Sequence, residues 1–139
     1  MILVIRISGQ VEVPTDIEDT LFHMRLRKKF TAVLMKDNKE TKSMLIKVRS
    51  FVAFGPIAPD TLVELIEKRA QLAPGTKKID AQKVAAGLEK SSPEDLGIKP
   101  FFRLHPPRGG IDSKTHFPIR KGVLGDNKEK INDLVRRML

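Results

Sequence analysis

Between Pro100 and Asn127 the chain reads PFFRLHPPRGGIDSKTHFPIRKGVLGDN, a run that neither a regular helix nor an alternating strand accommodates. Pro106-Pro107 and Gly109-Gly110 break helices, Pro118 adds a third stop, and Gly122 and Gly125 follow. No apolar period of 2 or 3.6 residues continues past Leu104. A loop of this length inside a small domain is usually functional or disordered. Disorder has another composition: this stretch keeps Phe101, Phe102, Leu104, Ile111, Phe117, Ile119, Val123 and Leu124 among Arg103, Arg108, Lys114, Arg120 and Lys121. Apolar anchors interleaved with cations imply an extended arm that lies down on a large polyanion, with the rest of the chain as its mounting.

The charge balance supports a polyanion. The chain carries 26 Lys and Arg against 17 Asp and Glu, a net charge of +9. That favours nucleic acid over a membrane or an acidic protein as partner. A single run of cations ordinarily marks a solvated face. Here two basic regions, one in residues 21–50 and one in 99–139, flank a nearly neutral middle, and one of them lies on the arm. At 139 residues and 40% hydrophobic composition the chain is long enough for one domain with a real core. It has no cysteine, so disulfides, thiolate metal sites and a cysteine nucleophile are excluded. That is compatible with the cytoplasm. The apolar opening Met1–Ile5 stops at Arg6, too short for a signal h-region or a membrane span.

Ile2–Ile7 is almost continuously apolar and β-branched, as in a central strand covered on both faces. Thr15 with Glu18 reads as a capping box, opening a helix whose Ile17, Leu21 and Met24 form one stripe. Arg25, Arg27, Lys28 and Lys29 end it, more cations than the helix dipole needs. A strand over Thr31–Met35 follows, then a helix capped by Asp37 with Glu40, then a strand over Phe51–Phe54 stopped by Gly55-Pro56. Residues 1–57 therefore read β-α-β-α-β, an α+β, ferredoxin-like core with both helices on one face of the sheet. Residues 58–98 read as a helical insertion packed on that core, with Pro59 and Asp80 at helix starts. Residues 99–139 hold a short strand over Phe101–Leu104, the arm, and a final helix started by Asp126 or Asn127, with Ile131, Leu134, Val135 and Met138 facing inward.

A search for catalytic chemistry returns little. No GxGxxG, Walker A loop, GxSxG or HExxH occurs. His105, His116 and Asp112 fit no zinc spacing, and an arm preorganises ligands poorly. Ser8-Gly9-Gln10-Val11 after the first strand weakly resembles the phosphate cradle of acylphosphatase-type domains. Pro14-Thr15-Asp16 stands where that cradle needs arginine, and acids there would repel phosphate. Nucleic-acid chemistry fits better. Arginine grips phosphate bidentately, Arg108-Gly109-Gly110 can form a backbone anion nest, and Pro106-Pro107 stiffens the approach. Tyr and Trp are absent and there is no basic recognition helix, which favours shape and phosphate recognition of folded RNA.

The run Phe102-Arg103-Leu104-His105-Pro106-Pro107-Arg108-Gly109-Gly110, with Gly125-Asp126-Asn127 and Ile131-Asn132-Asp133-Leu134-Val135-Arg136-Arg137-Met138, closely resembles the L thirty family of large-subunit ribosomal proteins (L seven in eukaryotes). Thr20-Leu21, Leu26-Arg27-Lys28, Val33-Leu34 and Ile46-Lys47-Val48-Arg49 resemble its short bacterial form. The resemblance implies a β-α-β-α-β core and a non-enzymatic structural role in the ribosome. It also implies binding to the main large-subunit ribosomal RNA, near the 5S RNA and neighbouring ribosomal proteins, without cofactor, metal, membrane or small-molecule substrate. Residues 58–139 and a start at the first strand look archaeal. Met24-Arg25 stands where the bacterial pattern has glycine, so the first helix is expected to run further. The expected RNA contacts are Arg25, Arg27, Lys28 and Lys29 at the end of that helix, Lys47 and Arg49 beside the third strand, and Arg103, His105, Arg108, Gly109, Gly110, Lys114, Arg120 and Lys121 on the arm. The competing readings are a phosphate-handling enzyme on a ferredoxin-like core and a non-ribosomal RNA chaperone.

Overall fold

The computed structural model describes residues 1–7, 13–69, 80–88, 90, 96–99, 101–107, 113–116 and 122–139, giving backbone alone for 113–116 and 122–123. The elements run β1 (Ile2–Arg6), α1 (Thr15–His23), β2 (Thr31–Met35), α2 (Lys39–Val48), β3 (Val52–Pro56), α3 (Pro59–Arg69), α4 (Ala81–Gly87), β4 (Phe102–Arg103), β5 (Ser113–His116), β6 (Gly122–Asp126), a 3-10 turn (Lys128–Lys130) and α5 (Ile131–Met138). The strands lie in the order β4-β2-β1-β3-β6-β5. β1 is antiparallel to both neighbours, with Val4 opposite Val33 and Phe54. The chain is α+β with the expected β-α-β-α-β core.

The opening apolar run is explained by burial on two sides. Ile2 and Val4 face a layer that includes Leu21, Met24 and Leu26 around α1 and Leu45 and Val48 of α2. Leu3, Ile5 and Ile7 face the opposite layer, where Leu62, Leu65 and Ile66 of α3, Val84 of α4, and Ile131, Leu134, Val135 and Met138 of α5 pack. Ala32 and Ala53 flank Ile5 in the ladder. Their small side chains leave room for the second helix layer.

Several local expectations change. Thr15 is not the N-cap of α1: Pro14 holds that position, no side chain caps it, and Glu18 N–H donates to the Pro14 carbonyl. α2 is capped by Asn38, whose side-chain oxygen accepts from Thr41 N–H at 2.8 Å, while Asp37 instead meets Lys42 at 3.4 Å. β3 begins and ends later than its composition implies. Phe51 N–H closes onto the Val48 carbonyl, and Gly55 and Pro56 pair with Leu3 and Ile2.

The largest difference lies in the stretch expected to lack regular structure. Residues 122–126 form β6, parallel to β3 with Ala53 opposite Gly125 and Phe54 opposite Asp126, and residues 113–116 pair with β6 in turn. This segment shows no alternation of its own. It becomes a strand because β3 offers an open edge, a non-local cause. Gly125 takes the left-handed backbone (φ 88) that lets β6 turn toward α5. Asp126 then accepts from Lys128 N–H, Asn127 N–H donates to the Phe54 carbonyl, and Asn132 Oδ1 accepts from Ala58 N–H at 2.8 Å. The Gly-Asp-Asn and Asn132 positions therefore stitch β3, β6 and α5 together.

Candidate nucleic-acid interface

α1 does not run on through Met24-Arg25. It stops at His23, and the chain closes it with a pair of reversed bonds: Leu26 N–H to the Leu21 carbonyl and Arg25 N–H to the Phe22 carbonyl. That is a Schellman cap, and Arg25 occupies its left-handed position (φ 65) where glycine is usual. Leu21 and Leu26 are both buried and supply the apolar contact that accompanies such a cap. The turn throws Arg27, Lys28 and Lys29 off the helix into a connecting loop, where all three are exposed. Phe30, also left-handed (φ 63), ends the loop. An L-residue in this conformation costs about 1–2 kcal/mol. Arg25→Gly is therefore expected to be more stable than Arg25→Ala by about 0.5–1 kcal/mol in urea titrations. A glycine variant no more stable than the alanine variant would show that Arg25 bears no strain.

Arg6 holds this loop from below. It is 2% exposed, and its Nη1 donates to the Leu26 carbonyl at 2.7 Å. Burial lowers its pKa from the ordinary arginine value, and Glu18 opposes the shift. The Arg6 carbonyl accepts from Phe30 N–H at 2.7 Å, so one residue grips both ends of the loop.

Antiparallel pairing brings the basic segments to one end of the sheet. The end of β1 meets the starts of β2 and β3, and Arg103 of β4 lies opposite Thr31. Two clefts open there. The first, of about 500 Å³, is lined by Lys28, Lys29, Phe30, Thr31, Lys68, Arg69, Arg103, Leu104 and His105. The second, of about 260 Å³, is lined by Arg25, Arg27, Lys28, Thr31, Phe101 and Arg103. Lys28, Thr31 and Arg103 line both, so the two clefts adjoin. Among the described residues, no carboxylate lines either cleft. The cations are steadied by rings: Arg27 lies 4.1 Å over Phe22, Lys29 5.0 Å over Phe30, and Arg103 5.4 Å over Phe101. Phe22 is 54% exposed.

In the segment leading to the arm, Phe102 and Leu104 point into the core while Arg103 and His105 face out. Leu104 N–H donates to the Phe30 carbonyl and His105 N–H to the Met138 carbonyl, both at 3.0 Å. Six of the expected contacts, Arg25, Arg27, Lys28, Lys29, Arg103 and His105, thus meet around the two clefts. Lys47 and Arg49 do not join them. Lys47 is exposed on α2, and Arg49 lines a separate cleft with Ile46, Phe54 and Asp126. Lys114 lies in β5, where the backbone alone is described; Arg108, Gly109, Gly110, Arg120 and Lys121 lie outside the described residues. The sequence reading missed Lys68 and Arg69, which as a basic pair in the last turn of α3 resemble an ordinary complement to the helix dipole.

A layered α+β body with a cation-lined end defines a small basic protein whose exposed chemistry suits an anionic partner. Among the described residues no three His, Asp or Glu side chains gather to hold a metal, and no helix is long and apolar enough to cross a membrane. The family model for ribosomal protein L30p/L7e matches residues 2–52. Large ribosomal subunit protein uL30 of Methanococcus maripaludis is 40% identical, covering 98% of this chain and 97% of its own length. The proteins of that name from Pyrobaculum islandicum and Aeropyrum pernix are 38% and 36% identical, each over 98% of this chain, and over 92% and 97% of their own lengths. The chain belongs to the ribosomal protein L30p/L7e family, with archaeal relatives. That is a family of ribosomal proteins, not of enzymes.

Proposed function

We propose that the chain is a structural component of the large ribosomal subunit, held on ribosomal RNA by the basic end of its sheet. The observation that carries this reading is the pair of adjoining clefts, built from residues far apart in sequence, lined by cations and, among the described residues, by no carboxylate. Phosphate is the ligand such walls recognise, and RNA presents it in series. Arg25, Arg27, Lys28, Lys29, Arg103 and His105 form the central contact in this reading. Lys47 and Arg49 touch a flanking strand of RNA, and Arg108, Gly109, Gly110, Lys114, Arg120 and Lys121 continue along an RNA groove. Residues 1–57 act as the core of the grip, 58–98 as the helical insertion and 99–139 as the arm and closing helix. The ribosome of the cytoplasm, near the 5S RNA and among other ribosomal proteins, is the setting this implies.

The native protein should co-sediment with large ribosomal subunits and be stripped from them by salt. Neutralising six to ten phosphates predicts an affinity for large-subunit RNA that falls by about 10³–10⁵ between 50 and 200 mM salt. Filter binding across a salt series measures this. A flat salt response, or a protein that stays with the soluble fraction in gentle lysates, would remove the ribosomal reading.

A further inference from the structure

We propose that the larger cleft seats one phosphodiester of the RNA with its ribose, and that Lys68 and Arg69 grip it, making the helical insertion part of the RNA-binding surface. The inference rests on the RNA reading above and extends it to a segment that composition assigns to packing. α3 does pack through Leu62, Leu65 and Ile66. Its last turn, however, delivers two cations to a wall facing Lys28, Lys29, Arg103 and His105. A pair that merely complemented the helix dipole would need no cations opposite it. Lys68 is exposed, Arg69 is half-buried, and both line the cleft. A phosphate is the ligand that this wall of cations attracts.

The cleft also has the size and mixed lining for more than a bare anion. About 500 Å³ falls within the range of small-molecule sites. Phe30 and Leu104 contribute apolar surface beside the cations, suited to the carbon face of a sugar. Phe30 holds left-handed backbone (φ 63), a conformation that a bulky residue keeps where its surroundings force it, commonly at ligand clamps. Those surroundings are its N–H on the Arg6 carbonyl and its carbonyl on Leu104 N–H.

The test uses the full chain and large-subunit ribosomal RNA. The slope of log affinity against log salt is measured for the parent, for Lys68→Gln, for Lys68→Gln with Arg69→Gln, and for Arg27→Gln with Lys28→Gln. Each lost phosphate contact lowers the slope by about one. The expected result is a loss of about one for the Lys68/Arg69 pair, whose two cations serve a single phosphate, and a loss approaching it for Lys68→Gln, with that phosphate protected from ethylation by the parent and released by the pair. If both α3 variants keep the parental slope while the Arg27/Lys28 pair lowers it, the insertion only packs and this inference is overturned, while the RNA reading stands. If the parent itself shows no salt-dependent binding, the RNA reading fails instead. Lys68 is exposed, so its single variant decides the matter even if Arg69→Gln does not fold.

Discussion

Arg6→Ala should lower the unfolding free energy by about 3 kcal/mol, combining a cavity with an orphaned carbonyl. The side chain is almost fully buried beneath the loop that follows α1, and the Leu26 carbonyl depends on its guanidinium for a 2.7 Å bond. Arginine keeps its charge at neutral pH even where burial lowers its pKa, so the variant removes a charged donor. Arg6→Met separates the two contributions. It restores much of the volume but no donor, and should still lose about 1–3 kcal/mol. Urea unfolding of the three proteins with a common m value gives these differences. Because the guanidinium fixes the Leu26 end of the 25–30 loop, the methionine variant should also bind RNA less tightly. Full stability in Arg6→Met would mean that the Leu26 carbonyl finds another donor and that the loop does not hang on this contact.

Gly55→Ala is expected to cost about 2–3 kcal/mol by overpacking. A Cβ at position 55 would run into the Lys128 carbonyl oxygen and come within 3.0 Å of Ile131 Cγ2. Neither neighbour retreats easily. Lys128 sits in a left-handed turn (φ 50) whose N–H is held by the Asp126 side chain, and Ile131, the first residue of α5, is fully buried. The methyl group would press the 3-10 turn away from β3 and strain the Asn127-to-Phe54 bond beside it. An alanine variant with the parent's melting temperature would show that the turn can step back at little cost.

These two sites mark where sequence reasoning stopped. Arg6 follows a run of apolar residues and reads as the polar end of a strand; nothing local says that a loop twenty residues away closes over it. Gly55 beside Pro56 reads as a strand stop, whereas β3 continues through both because β1 pairs with them. In each case the deciding contact is distant in sequence. The cap of α1 shows a related limit. Arg25 resembles a helix-continuing residue, and the αL turn that it adopts is imposed by the Leu21–Leu26 contact and by Arg6 beneath.

What could be read from residues alone was whatever rests on local periodicity and on charge. The burial of Ile2–Ile7 on two faces, the inward stripes of α3 and α5, the short strand that leads into the arm, and the excess of cations near both helix end and arm all follow from neighbours along the chain. Tertiary structure alone decided that 122–126 becomes a strand on the edge of β3. It also decided that Lys68 and Arg69 face Lys28 and Arg103 across one cleft, and that Lys47 and Arg49 stand apart from it. The physical reason is the same throughout: periodicity tells which side of an element is apolar, but which elements adjoin is settled by the pairing of strand edges and the packing of helix faces across the whole chain.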